Sequence, residues 1–300
     1  MVKLNTVILS ANCRIVMFSM LKLIVIYYLS EYCEGVIDME NKRFTLWTDD
    51  EMVTRSGSGA GTFLSCKPGI TFYSAGNVHP AGCVIICPGG AYESKTSDYE
   101  GEDVAGMLNA NGIDAFVLDY RVAPDIHPAP LNDAFRAITM ARDLASELGY
   151  LSDKIGIMGF SAGGHLAACA GTMWTSGKSR PDAMVLCYPV ISMGRYSHVG
   201  TRTNLLGNSM NTSTISDMSC ENRVDRHATP AFIWHTANDE AVPVENSLMM
   251  ATALASKSIP FELHIYPSGC HGLGLAAEDP IVSTWTGHCI TWLKAQGFCG

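Results

Sequence analysis

One serine stands out in the stretch IMGFSAGGHLAA, residues Ile157 to Ala168. Gly159-Phe160-Ser161-Ala162-Gly163 fits G-x-S-x-G, a pattern that gains meaning only between a strand and a helix. KIGIMGF before it reads as a strand, and AGGHLAACAGTMW after it as a helix. A sharp strand-to-helix turn strains the serine backbone and exposes its Oγ. Flanking glycines remove the Cβ atoms that would collide there. The N–H of Ala162 then lies at a helix N-terminus, aimed at developing negative charge. The chemistry is that of a nucleophilic Ser161.

A serine needs a base, and the base an orienting acid. In this architecture the chain order is Ser, then Asp or Glu, then His. Asp239 follows the strand PAFIWHTA, and His271 follows the strand FELHIYP. Glu240, beside Asp239, is the alternative acid. His165 points along the serine's own helix and reads as a packing or hydrogen-bonding residue. His235 and His264 lie inside strands, where a satisfied core histidine is the default. His198, His227 and His288 lack strand-end context. A second oxyanion donor must come from a loop after an earlier strand. CVIICPGGAYE supplies one, and Gly90 and Ala91 join Ala162 as the expected donors. No residues have the spacing of a catalytic metal site, and the chemistry calls for no metal and no cofactor.

These residues need a scaffold that gathers strand ends. From Cys83 the chain alternates short apolar runs with longer amphipathic ones. CVIIC, DAFVLDY, KIGIMGF, DAMVLCYPVI, PAFIWHTA and FELHIYP read as strands. DYEGEDVAGMLNANG, APLNDAFRAITMARDLASELG and VENSLMMATALASKSI read as helices, and another closes the chain through Trp292. Leu131, Ala134, Ile138, Ala141 and Leu144 fall near one face of the second of these helices, which Gly149 caps. Such alternation predicts an α/β fold, a mostly parallel sheet with helices on both faces. Its functional residues collect at the carboxyl ends of the strands. The polar stretch from Ser192 to Thr229 interrupts the pattern and reads as an insertion over that strand edge.

Taken in order, PGGAYE, DYRVAP, HPAPLNDAFRA, GFSAGGHLAA, GTRTNLLG, HTANDEAVPVENS and GCHGLGL resemble the α/β-hydrolase superfamily. Within it they resemble the carbohydrate acetyl-esterase group, often labelled acetyl-xylan esterase-like, some of whose relatives also release feruloyl groups. The resemblance spans about residues 70 to 295. It implies the α/β-hydrolase fold, a Ser161–Asp239–His271 triad, and an oxyanion site of Gly90 or Ala91 with Ala162. It further implies hydrolysis of acetyl esters on carbohydrate such as xylo-oligosaccharides. Pro88-Gly89-Gly90-Ala91 departs from the His-Gly-Gly-Gly of the neighbouring hormone-sensitive-lipase-like group. DYRVAP occurs in both groups and does not discriminate. On this reading Tyr92 is a candidate substrate contact, stacking on a sugar ring, or else a support for the turn. Arg202 and Asn204 brace the insertion or touch substrate, with bracing favoured. A general short-chain carboxylesterase, a same-fold serine peptidase and a non-catalytic binding protein are the alternatives.

The 300 residues carry a net charge of −9 and no basic run, which argues against nucleic acid and anionic membrane surfaces. The expected partner is a small acylated carbohydrate. Eleven scattered cysteines read as small buried hydrophobes in a reducing, cytoplasmic setting. Residues 39–300 read as one domain. Residues 1–38 read as an extension upstream of a true start at Met39, or as a signal or anchor segment, in which case the protein is secreted or membrane-anchored.

Overall fold

The computed structural model describes residues 42–48, 51 and 67–299. The expectation for residues 1–38 lies outside them. Among the described residues eight strands form one sheet: β1 (Arg43–Thr45), β2 (Gly69–Tyr73), β3 (Cys83–Cys87), β4 (Asp114–Asp119), β5 (Ile155–Phe160), β6 (Ala183–Cys187), β7 (Ala231–Thr236) and β8 (Phe261–Tyr266). Their spatial order is β1-β2-β4-β3-β5-β6-β7-β8. β1 and β2 run antiparallel to their neighbours. From β4 to β8 all pairings are parallel. The helices are α1 (Asp103–Asn109), α2 (Ala129–Leu148), α3 (Ser161–Thr172), α4 (Val199–Leu206), α5 (Thr212–Asp217), α6 (Glu245–Ser256) and α7 (Thr284–Ala295).

The central strands are apolar along their whole length because both faces are covered. Every residue of β3, β5, β6 and β7 is buried. Alternate side chains serve opposite cores. Ile85 and Cys87 join Phe116, Ile157 and residues of α2, α3 and α6. Val84 and Ile86 join Val104 and Leu108 of α1 and Trp285 and Leu293 of α7. α2 buries Leu131, Ala134, Ile138 and Ala141, with Leu144 only partly covered. Gly149 ends this helix in the left-handed region (φ 87°), its N–H bonding to Ala145 O. At the other end Arg121 and Asp133 form a buried ion pair at 2.7 Å, with Trp47 Nε1 donating to the same carboxylate. The DYRVAP motif is therefore a structural clasp.

The segment from Ser192 to Thr229 carries α4 and α5 between β6 and β7. It is polar outside, but Leu205, Leu206, Met218 and Cys220 are buried in the same core as α3. The buried amide of Asn246 fixes its start. Asn246 Oδ1 accepts from Ile191 N and Ser192 N, and Nδ2 donates to Tyr196 O and Pro243 O. Among the described residues no helix is long and apolar enough to cross a membrane.

Candidate active site

β5 ends at Phe160 in extended conformation, and Ser161 turns the chain at φ 53° into α3. A non-glycine residue there is strained and persists only where its surroundings impose it. The surroundings are tight. A Cβ on Gly159 would sit 2.0 Å from Gly163 O, and one on Gly163 would sit 2.0 Å from Cys87 O. Backbone cannot yield as a side-chain end can. Gly163→Ala is expected to cost at least about 1–3 kcal/mol, read as a fall in thermal midpoint of about 2–4 °C per kcal/mol.

The structure brings Ser161, Asp239 and His271 together at the carboxyl ends of β5, β7 and β8. His271 Nδ1 lies 2.7 Å from Asp239 Oδ2, and His271 Nε2 lies 2.8 Å from Ser161 Oγ. A carboxylate can only accept, so Nδ1 carries the proton and Nε2 accepts from the serine hydroxyl. Asp239 Oδ1 accepts from Ala241 N and Val242 N, both at 2.9 Å. Burial pushes the Asp239 carboxyl up, but hydrogen bonds from His235, His271 and Val242 N outweigh it and hold the group below the usual carboxylate range. Glu240, the alternative acid, is exposed and lines an open groove with Asn238, Cys270 and His271.

The loop after β3 holds three successive positive φ values: Gly90 at 126°, Ala91 at 55° and Tyr92 at 56°. Gly89 N–H is committed to Glu100 Oε2 at 2.8 Å. Among the described residues no hydrogen bond takes the N–H of Gly90 or Ala91. Ala162 N–H stands at the start of α3. The three expected oxyanion donors therefore sit on the two backbone segments that meet at Ser161. Asn204 Nδ2 of α4 donates to Ala91 O at 2.9 Å, and Arg202 reaches Met193 O at 3.3 Å. Both residues brace the insertion.

Tyr92 corrects the reading that its ring stacks on a sugar. It is 1% exposed, so neither ring face is open to a ligand. Its hydroxyl meets His165 Nδ1 at 3.0 Å, and His165 Nε2 meets Met218 O at 2.8 Å. A carbonyl only accepts, so His165 donates from Nε2, and its Nδ1 accepts a hydrogen bond from the Tyr92 hydroxyl. Tyr92 thus supports the turn, and His165 is a bonded core histidine. His165, Cys169 and Cys220 bring their ligand atoms within 4.8 Å of one another. Both imidazole nitrogens are already engaged, however, and the cluster reads as core.

His235 is also a satisfied core histidine, bonded to Ser247 Oγ and Val242 O. His264 differs. It is half-buried on the edge strand β8, bonded to Glu262 and stacked on His288. Cys87 is buried, whereas Cys270, next to His271, is exposed. Three further residues matter here: His198, set aside above for want of a strand end, and Glu100 and Tyr188, which carry no motif. His198 caps α4 through Thr201 N, and burial, with the nearby His271, lowers its pKa. Glu100 and Tyr188 lie beneath the loops that carry the site.

An acid–base–serine constellation on this sheet defines an α/β-hydrolase. The chain belongs to the BD-FAE family, whose model matches residues 71–254. It is similar to a solved acetyl ester-xyloside bifunctional hydrolase from Caldicellulosiruptor lactoaceticus, with 41% identity and a TM-score of 0.81 over 87% of this chain and 98% of that one. It is 37% identical over 202 residues to an acetylxylan esterase of Xylanibacter ruminicola, covering 65% of this chain and 42% of the relative. It is 34% identical over 264 residues to endo-1,4-beta-xylanase B of Butyrivibrio fibrisolvens, covering 83% of this chain and 40% of the relative. The chain therefore spans about two-fifths of the length of these curated relatives.

Proposed function

We propose that the protein is a serine ester hydrolase that removes acetyl groups from xylan-type carbohydrate. The observation that carries this reading is the continuous chain of hydrogen bonds from Asp239 through His271 to Ser161 Oγ. Relatives with acetyl-ester and xylan chemistry in their names supply the substrate class. In this mechanism Ser161 Oγ attacks the ester carbonyl while His271 Nε2 takes its proton. Asp239 holds the ring and stabilises the imidazolium. The oxyanion is met by N–H groups of Gly90 or Ala91 and of Ala162, each worth roughly 2.7–4 kcal/mol in such a site. His271 returns the proton to the departing sugar oxygen. Water, deprotonated by His271, then attacks the acetyl-serine, and acetate and free Ser161 result.

Residues 39–300 act as one catalytic domain in this reading. The domain works in the cytoplasm, whose reducing conditions suit buried thiols such as Cys83, Cys87, Cys187 and Cys289. Acetate release from acetylated xylo-oligosaccharides, measured beside p-nitrophenyl acetate hydrolysis, tests the substrate. Release from both is expected. Hydrolysis of the simple ester alone would replace the carbohydrate assignment by a general short-chain carboxylesterase.

A further inference from the structure

We infer that Glu100 and Tyr188 are positioning residues that hold the oxyanion loop and the His271 loop in one register; this rests on the esterase reading above. Neither residue hydrogen-bonds Ser161 Oγ, whose partner among the described residues is His271 Nε2. Glu100 is 2% exposed. Its Oε2 accepts from Gly89 N at 2.8 Å and from the Thr96 hydroxyl, and its Oε1 accepts from the Tyr188 hydroxyl at 2.6 Å. The Tyr188 oxygen in turn accepts from Gly274 N at 2.8 Å. The Tyr188 ring meets the His271 ring edge-on, with centroids 5.0 Å apart. Tyr188 itself is held at φ 35°, a costly conformation for a bulky residue.

One buried carboxylate thus reaches both halves of the site. Gly89 directly precedes the candidate donor Gly90, and Gly274 lies three residues after His271. The oxyanion donors and the base must act on the same tetrahedral centre. Their relative placement has to be correct to a fraction of an ångström, and a 1 Å error costs about 100-fold. Three converging donors also explain how a carboxylate is accommodated in the interior, where it is costly without such partners.

The test uses Glu100→Gln, Tyr188→Phe and the double variant, with Ser161→Ala alongside. Glutamine keeps an acceptor for Gly89 N but turns an amide toward Tyr188, whose hydroxyl proton then lacks an acceptor. Phenylalanine keeps the ring against His271 and removes only the hydroxyl. Each single variant is expected to lose about 10- to 100-fold in kcat on p-nitrophenyl acetate, with KM within about twofold, because the displaced groups act in the transition state. Affinity for a trifluoromethyl ketone should weaken in step with kcat/KM. The double variant should be no worse than the poorer single, since both break one linkage. Wild-type kcat in folded variants, or losses that multiply in the double, overturns the inference while an inactive Ser161→Ala leaves the esterase reading standing. Full activity in Ser161→Ala overturns that reading and the inference with it. If Glu100→Gln does not fold by thermal unfolding, Tyr188→Phe, which deletes one oxygen, decides.

Discussion

Ser161→Ala is expected to fold with an unchanged thermal midpoint and to lose about 10⁶-fold in kcat. Among the described residues the serine side chain makes one hydrogen bond, to His271 Nε2. Its removal leaves that nitrogen partly exposed, where water can take the place of Oγ. The strained turn at φ 53° is imposed by the packing of Gly159 and Gly163, so alanine inherits the same conformation. Any activity that remains would come from the oxyanion donors and substrate binding, typically about 10³–10⁴-fold over water. Acetate release from the purified variant, with circular dichroism as the control for folding, measures the loss. Retention of full activity would remove Ser161 from the mechanism.

Asp239→Asn is expected to lose about 10⁴-fold in kcat. The cause is a tautomer. Ala241 N and Val242 N point at one oxygen of residue 239 and would keep it an oxygen in the asparagine. The amide nitrogen must then face His271 Nδ1, currently 2.7 Å from Oδ2. An N–H facing Nδ1 makes the ring protonate at Nε2, and Nε2–H cannot accept the Ser161 proton. The same substitution has a stability signature. Because the Asp239 carboxyl is held below its ordinary 3.8, it stabilises the fold fully above about pH 4. That contribution is lost as pH falls toward the lowered value. The variant has no such carboxyl, so its midpoint should fall less steeply than that of the parent below about pH 4. Thermal melts between about pH 5 and pH 2 decide this, and parallel curves would contradict it.

The parts of the fold that sequence reveals are those where one physical demand dominates. β3 and β5 to β7 are covered on both faces, so they read as unbroken apolar runs. β1 has only three residues, and no helix follows β2 to complete an alternating unit. Both antiparallel strands therefore escape a reading that starts at Cys83. The same contrast holds at the site. Ser161, Asp239 and His271 are legible because each stands at the end of a strand. Tyr92 invited a ligand role by its place directly after Ala91, and only burial reveals that its ring faces inward. Glu100 is hidden in the acidic run Asp98 to Asp103, which looks like a solvated surface. The one sign of its burial is periodicity, since Glu100, Val104 and Leu108 recur four apart and all three are buried. His198 lacks a strand end altogether and lies in the insertion, where it caps α4.

The bond from Asn204 to Ala91 O couples two things that designers usually treat as separable. The segment overhanging the site is the natural place to exchange loops among relatives in search of new substrates. Here that segment also grips the carbonyl next to the anion-binding backbone. A graft that drops Asn204 would change turnover along with selectivity, and would do so even for a substrate too small to touch the graft. Libraries built on this scaffold are best varied on the exposed side of α4, with Asn204 held constant.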